Sequence, residues 1–245
     1  MNDKIYIHEF IDIRGHHRSS YMHHMAANWS PGAQERRNQL CFGVWAVLGS
    51  TGAWPQVVNL WEEPGWEGLA ASFGGEAVGP GAQDPILAKW WAKASEFRRG
   101  GFDRIVEPAP WSKPILELIA DGTRGACYAH EVVRVRPGAS RDHLELVRER
   151  GAEAYGAYGW QLIGAFTTAM VNEDEAILLW AIPTWDAWAR AEKNAQTDES
   201  ILEWKRLCSD HVERRHRILL VDSPLSPLKI GRQPTRADQV DWDEE

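Results

Sequence analysis

Histidine, glutamate and tyrosine side chains can move or hold protons near neutral pH, and this sequence sets the three together twice. Residues 6–14 read YIHEFIDIR and residues 128–136 read YAHEVVRVR. Tyr6, His8 and Glu9 thus match Tyr128, His130 and Glu131. Strand alternation puts Tyr6, His8, Phe10 and Asp12 on one face, and Ile5, Ile7, Glu9, Ile11 and Ile13 on the other. The aliphatic face suits contact with helices, so the Tyr/His/Phe face is expected to look into an interior cavity. His8 and His130 would then approach one cavity from opposite sides and share acid and base roles. Tyr6 and Tyr128 would polarise a carbonyl or hold an enolate. Glu9 and Glu131 fall on the apolar side. Either they pair near its edge, or the faces are reversed and the glutamates line the cavity.

Other motifs narrow the chemistry. The chain lacks G-x-G-x-x-G, a Walker loop, H-E-x-x-H, C-x-x-C and G-x-S-x-G, which argues against hydride, phosphoryl and acyl transfer. The run GHHRSSYMHHM is rich in histidine, but the helical stripe there centres on Met22, Met25, Ala26 and Trp29. His23 lies on its flank and His24 nearly opposite, and adjacent positions do not pair as ligands. This cluster reads as solvated surface, and no metal or organic cofactor is expected. Cys41, Cys127 and Cys208 are scattered in apolar settings, as reduced core thiols of a cytoplasmic protein would be, rather than a disulfide frame or zinc site. A net charge of -8 argues against nucleic acid or an anionic membrane as partner, and no apolar run reaches the ~20 residues of a membrane span. The partner implied is a small molecule; self-association through an edge strand stays open.

The elements that must position these residues also repeat. LWEEPGW (60–66) matches LWAIPTW (179–185), and DPILAKWW (84–91) matches DESILEWK (198–205), in the same order as the opening strands. Ordered matches of this kind indicate tandem duplication. In the first copy, residues 4–14, 39–49, 55–62 and 103–108 read as strands. Helices are expected over 18–29, after Pro64, and from Asp84 to a stop at Gly100-Gly101. In the second copy, 126–136, 159–171, 175–182 and 215–221 read as strands, and 141–155, 184–194 and 198–213 as helices. The plan is β-α-β-β-α-β twice, an α+β fold of two tandem ferredoxin-like repeats packed sheet-to-sheet as an intramolecular α/β barrel. Residues 1–112 form the first repeat, 113–125 a linker, 126–230 the second repeat and 231–245 a polar, acidic, loosely held tail. The Gly-rich stretch FGGEAVGPGAQDP reads as a mobile loop that could cover the barrel mouth. Among the 14 tryptophans, Trp45, Trp61 and Trp180 stand on strands and join Phe10 as candidates for ligand contact.

The opening IY strand followed by GAWPQVVNLWEEPGWEGLAA (52–71) resembles the NIPSNAP family of dimeric α/β-barrel proteins, best over residues 4–75 and less closely over 126–195. The family's histidine before Leu-Trp is Asn59 here, and its ELRTY-like opening is replaced by Tyr6-Ile7-His8-Glu9-Phe10. Both departures fall where a pocket would be, so Asn59 joins Glu9 and Glu131 as a ligand-binding candidate. The resemblance implies a barrel holding a small molecule, in a superfamily of cofactor-free monooxygenases, isomerases, cyclases and haem enzymes. The expected activity is His-assisted proton transfer of the isomerase, dehydratase or lyase type on a largely apolar or aromatic ligand. The alternatives are a cofactor-free monooxygenase, a non-catalytic ligand-binding or interaction protein, and a haem-binding barrel.

Overall fold

Alternation in the opening segment produces β1 (Ile5–Ile13), whose two faces meet different partners. Ile7, Ile11 and Ile13 pack with Tyr21, Met22, Met25 and Trp29 of the following helical stretch. Tyr6 and Phe10 turn the other way, into a second cluster with Phe42, Trp45, Tyr128 and Phe166. The computed structural model describes residues 1–79 and 81–239.

Eight strands close into one antiparallel barrel: β1, β2 (Leu40–Val47), β3 (Gln56–Glu63), β4 (Arg98–Pro108), β5 (Cys127–Val135), β6 (Gln161–Ala169), β7 (Glu175–Ile182) and β8 (Val212–Asp222). Around the barrel the order is β1-β3-β2-β8-β5-β7-β6-β4, and β4 returns to β1. Each half of the chain therefore contributes four adjacent strands in the same relative order. The halves meet edge to edge at short seams, Trp45–Val47 against Leu220–Asp222 and Ile105–Pro108 against Phe166–Ala169. This differs from two separate sheets stacked face to face, because hydrogen bonds run continuously through both seams and leave no strand edge open.

Helices cover the outside. In the first half these are α1 (Arg18–His23), a π-helical turn His24–Trp29, α2 (Ser30–Arg37), α3 (Gly65–Glu76) and α4 (Pro85–Phe97). The linker adds α5 (Ile115–Ala120). The second half has α6 (Ser140–Leu146), a π turn Val147–Gly151, α7 (Ala152–Gly156), α8 (Trp185–Asn194), α9 (Glu199–Cys208) and α10 (Pro227–Ile230). Asp84 and Asp198 cap α4 and α9 alike, each accepting two backbone N–H bonds from the first turn. Ile115 and Leu118 of α5 and Leu228 of α10 join the interior cluster, so the expected plain linker is a built part of the barrel.

Several expectations are corrected. The helix opening at residue 18 runs on to Arg37, and its π turn brings His24 onto the buried side, stacked on Trp90 at 4.8 Å. Gly100 and Gly101 do not end α4. They lie within β4, where a Cβ on Gly101 would come 2.6 Å from the Phe10 carbonyl oxygen. The stretch 73–84 is helical to Glu76, which pairs with Arg37, and it borders a helix-side pocket rather than the barrel mouth. The tail is held as far as it is described: Gln233 pairs with the backbone of Cys41 and Arg236 with Glu35. Residues 240–245, its acidic end, lie outside the described residues. The three cysteines are buried and unbridged. Among the described residues no helix is long and apolar enough to cross a membrane.

Gly43 sits where β2 shifts register against β3, and the Trp45 ring folds over it, so a Cβ there would lie 2.0 Å from that ring. Gly43→Ala is expected to destabilise by roughly 1–3 kcal/mol through overpacking. Gly74→Ala, in α3 with nothing within 4 Å of the new Cβ, is expected to be neutral or to stabilise by up to about 1 kcal/mol. Urea unfolding of both variants checks the contrast.

Candidate active site

The two histidines do meet. His8 Nε2 lies 2.8 Å from His130 Nε2 across the barrel interior, and the rings stack with centroids 4.9 Å apart. Phe10 stands edge-on to both rings at 5.1 and 5.3 Å. Arg104 Nη1 is 3.5 Å from His8 Nδ1. Burial, then the neighbouring imidazole and Arg104, hold His8 well below the usual histidine range. Burial and Arg104 push His130 down to about 3. The pair is neutral at physiological pH, with one imidazole donating to the other.

Side chains, not ligand space, surround this pair. Tyr6 contacts the Phe42 and Phe166 rings at 5.8 and 4.9 Å, and Trp45 contacts Tyr128 at 5.8 Å. The tyrosine hydroxyls are engaged: Tyr6 donates to Glu62 Oε2 at 2.9 Å and Tyr128 to Asp222 Oδ2 at 2.7 Å. Burial and those carboxylates raise both phenols far above their ordinary range. The Tyr/His/Phe face thus looks inward as expected, onto a cluster of buried aromatic and aliphatic side chains.

The pocket is on the opposite face of β1. A cavity of about 320 Å³ lies between the first-half sheet and its helices, with Trp29, Trp61, Leu87, Trp90 and Trp91 among its walls. Met170, 78% exposed, and Val171 from the β6–β7 turn stand at its rim. Glu9, Gln39, Glu76, Asp103 and Arg104 are the polar residues of its lining. Strand register brings them together, since Glu9 faces Asn59 on β3 and Asp103 on β4.

Glu9 is 7% exposed, and no cation forms an ion pair with it among the described residues. Asn59 Nδ2 and Trp61 Nε1 donate to its Oε2 at 2.7 and 2.8 Å, which leaves Oε1 for a ligand. The same Asn59 amide donates to Tyr21 Oη at 3.1 Å. Burial, and then the charge of Asp103, raise the Glu9 carboxyl above the ordinary range; the two donors and more distant Arg98 only partly offset this. Asp103 stands opposite Glu9 on β4, and partial burial raises its carboxyl as well. Glu9 is an acid whose charge state a ligand can change.

Glu131 occupies the matching place in the second half and is 1% exposed. There Arg217 Nη2 lies 2.9 Å and Arg215 Nε 3.2 Å from its oxygens, and Trp180 Nε1 donates at 3.0 Å. Burial alone would raise this carboxyl, but Arg217 and Arg215 pull it below the usual range. Register explains the difference: Glu9 faces Asp103 on β4, whereas Glu131 faces Arg217 on β8. The Arg217 guanidinium also lies over Tyr155 at 4.6 Å, and Trp160, Trp180 and Trp204 belong to the same packed cluster.

Of the ligand-binding candidates, Glu9, Asn59 and Trp61 are thus gathered at or beneath the pocket. Phe10 and Trp45 belong to the interior, and Glu131 with Trp180 to a closed counterpart. Tyr21, Asp103, Gln39, Trp90 and Trp91 escaped the sequence reading. The signal present was a lone carboxylate on an otherwise aliphatic strand face, which requires partners from neighbouring strands.

No family model and no curated protein matches this sequence. Solved structures do. A candidate monooxygenase from Lactobacillus acidophilus is similar over 96% of this chain and 97% of its own, with a TM-score of 0.59 at 9% identity. An anthrone oxidase-like protein has a TM-score of 0.59 at 9% identity, over 90% of this chain and 92% of its own. A NIPSNAP family protein from Agrobacterium tumefaciens is similar over 42% of this chain and 97% of its own, with 24% identity and a TM-score of 0.37. The full-length likenesses show a shared mixed α/β barrel fold. The family resemblance read in the sequence has counterparts among solved structures.

Three variants test these surroundings. Glu9 has a raised pKa, so its contribution to stability is present below the ordinary carboxyl range and is lost as pH rises through the raised value. Glu9→Gln is therefore expected to raise the melting temperature at pH 8. Glu131→Gln is expected to cost about 3–5 kcal/mol, because it leaves Arg215 without its carboxylate and Arg217 with Glu192 alone; melting curves at pH 8 read both. For His8 and His130 the folded values are depressed, so stability is lost as pH falls from about 6.5 towards 3. A His8→Leu/His130→Leu double variant is expected to lose less stability than wild type between pH 7 and pH 4.5 in urea titrations.

Proposed function

We propose that this chain is a small-molecule enzyme whose first chemical step is removal of a proton by Glu9 from a neutral, largely apolar or aromatic substrate held between the first-half sheet and its helices. The observation that carries this reading is a buried carboxyl without an ion-pair partner beside an indole-walled pocket of about 320 Å³. Its twin, Glu131, is neutralised by two arginines and so cannot exchange a proton as readily. A base works best when its pKa lies near the operating pH, and burial moves Glu9 in that direction. Asn59 and Trp61 hold the carboxylate in one orientation, and the flat indole walls suit an aromatic body. We assign His8, His130, Tyr6 and Tyr128 to the barrel interior, where they position β1 and β5 and do not touch substrate.

After deprotonation the anion can take the proton back at another carbon, as in an isomerase, or expel a leaving group, as in a lyase or dehydratase. It can also meet O₂. The candidate monooxygenase and anthrone oxidase-like character of similar full-length structures favours oxygenation. In that route the carbanion's electron pair passes to O₂ and a C–O bond forms, giving a hydroperoxide. Loss of water then leaves a carbonyl. One CH₂ becomes C=O, one oxygen atom enters the product, and the other leaves as water.

For haem, an alternative the sequence resemblance raised, the described lining of this pocket holds no histidine, cysteine or tyrosine, and only the thioethers of Met25 and Met170 as axial donors. We read the two halves as tandem ferredoxin-like copies, residues 1–112 and 126–230 joined by 113–125. The unbridged buried thiols suit a cytoplasmic setting.

Anthrone is the probe for the oxygenation reading. The expected result is saturable O₂ uptake with one O₂ consumed per product molecule, and a loss of roughly 10²-fold or more in Glu9→Gln. Deuterium exchange into anthrone without O₂ uptake would favour isomerase or lyase chemistry. Full activity in Glu9→Gln would contradict the assignment of the base.

A further inference from the structure

The second half carries a cluster that the proposed reaction does not use. His143 on α6, Cys208 at the end of α9 and His211 just before β8 each direct a ligand atom to one point, and those atoms lie within 4.8 Å of one another. His143 Nδ1 is 2.9 Å from His211 Nε2. His143 and Cys208 are buried and His211 is partly exposed, which gives the cluster one open approach. Two of the residues are in Cys208-Ser209-Asp210-His211, a Cys-x-x-His spacing closed by the turn in which His211 N donates to Cys208 O at 3.2 Å. The sequence reading passed over it because it looked for paired cysteines, and the third member lies far away in the chain. Packing of α6 against the end of α9 supplies that member.

We propose that His143, Cys208 and His211 bind one borderline transition-metal ion of the Zn²⁺ type. Two imidazoles and a thiolate are the donors such an ion prefers. Metal–nitrogen bonds of about 2.0–2.1 Å and a metal–sulfur bond of about 2.3 Å set ligand atoms roughly 3.3–3.8 Å apart around a tetrahedral ion. The His143–His211 separation is shorter than that range and the cluster extends to 4.8 Å, so side-chain shifts on the order of an ångström are what would admit the ion. Three protein donors leave a fourth position to water or a small anion on the exposed His211 side.

One neighbour is placed to assist a bound thiolate. Arg215 Nη2 stands 3.5 Å from Cys208 Sγ and can donate to a metal-bound thiolate. Its charge is answered by Glu131 at 3.2 Å, so it does not present an uncompensated cation to the incoming ion. The Trp204 ring stacks on His143 at 5.9 Å and fixes its plane.

The test uses the reduced full-length chain, stripped with chelator and titrated with Co²⁺. The expected result is one equivalent bound with a thiolate-to-cobalt charge-transfer band, displaced by Zn²⁺. A sulfur band separates this site from adventitious binding at the histidines of residues 16–24. Cys208→Ser is expected to abolish the band. His211→Asn, at a partly exposed position that leaves the core intact, is expected to weaken binding at least tenfold and to remove the rise in melting temperature that Zn²⁺ gives the wild type. Absence of the band in wild-type protein, persistence of it in Cys208→Ser, or unchanged affinity in His211→Asn would overturn the proposal.

Discussion

A carboxyl taken out of water has to be met by a cation, by hydrogen-bond donors or by a proton. The two halves of this barrel face that constraint at the same position and meet it differently. At Glu131 two arginines answer the charge, and aromatic side chains pack over the ion pairs until the site is closed. At Glu9 two neutral donors answer part of it, and neighbouring Asp103 makes ionisation harder. The adjoining space between sheet and helices stays open. Exchanges on the partner strand, Asp103 and Gly101 where the other half has Arg217 and Arg215, give the two carboxyls opposite surroundings.

The barrel interior makes this arrangement possible. His8 and His130 satisfy each other across it while Phe10, Trp45, Phe166 and their neighbours fill it, so β1 and β5 are held rigidly from within. The outer face of β1 borders the pocket. The tyrosine hydroxyls donate to the carboxylates of Glu62 and Asp222, which ties down the strand ends.

Much of this was legible before any coordinates. Period-two alternation in residues 5–13 and 127–135 gave both strand faces correctly, and the 122-residue spacing of His8 and His130 foretold that they would meet. Asp84 and Asp198 marked two helix starts for the physical reason that a short carboxylate caps free N–H groups. Other features depend on long-range contacts that local pattern does not encode. Whether a barrel interior is hollow depends on the summed volume of side chains from eight strands, and here Trp45 and Phe166 fill it. The π turns moved His24 from the expected surface to Trp90, because they break the 3.6-residue period used to place it. Gly100 and Gly101 read as a helix stop but serve close approach of β4 to β1. The misplaced charge of Glu9 on an aliphatic face was the best pointer to the site, and its meaning needed Asp103 and Asn59 from the adjoining strands.

The central claim is that Glu9 and Glu131, alike in position, differ in ionisation because of their strand neighbours. Carboxyl ¹³C chemical shifts, followed by NMR through a pH titration with Glu9→Gln and Glu131→Gln used for assignment, test it directly. The account predicts that Glu9 titrates above the ordinary glutamate range and that Glu131 stays ionised to below it. Coincident titration of the two carboxyls, or the reverse order, would contradict it.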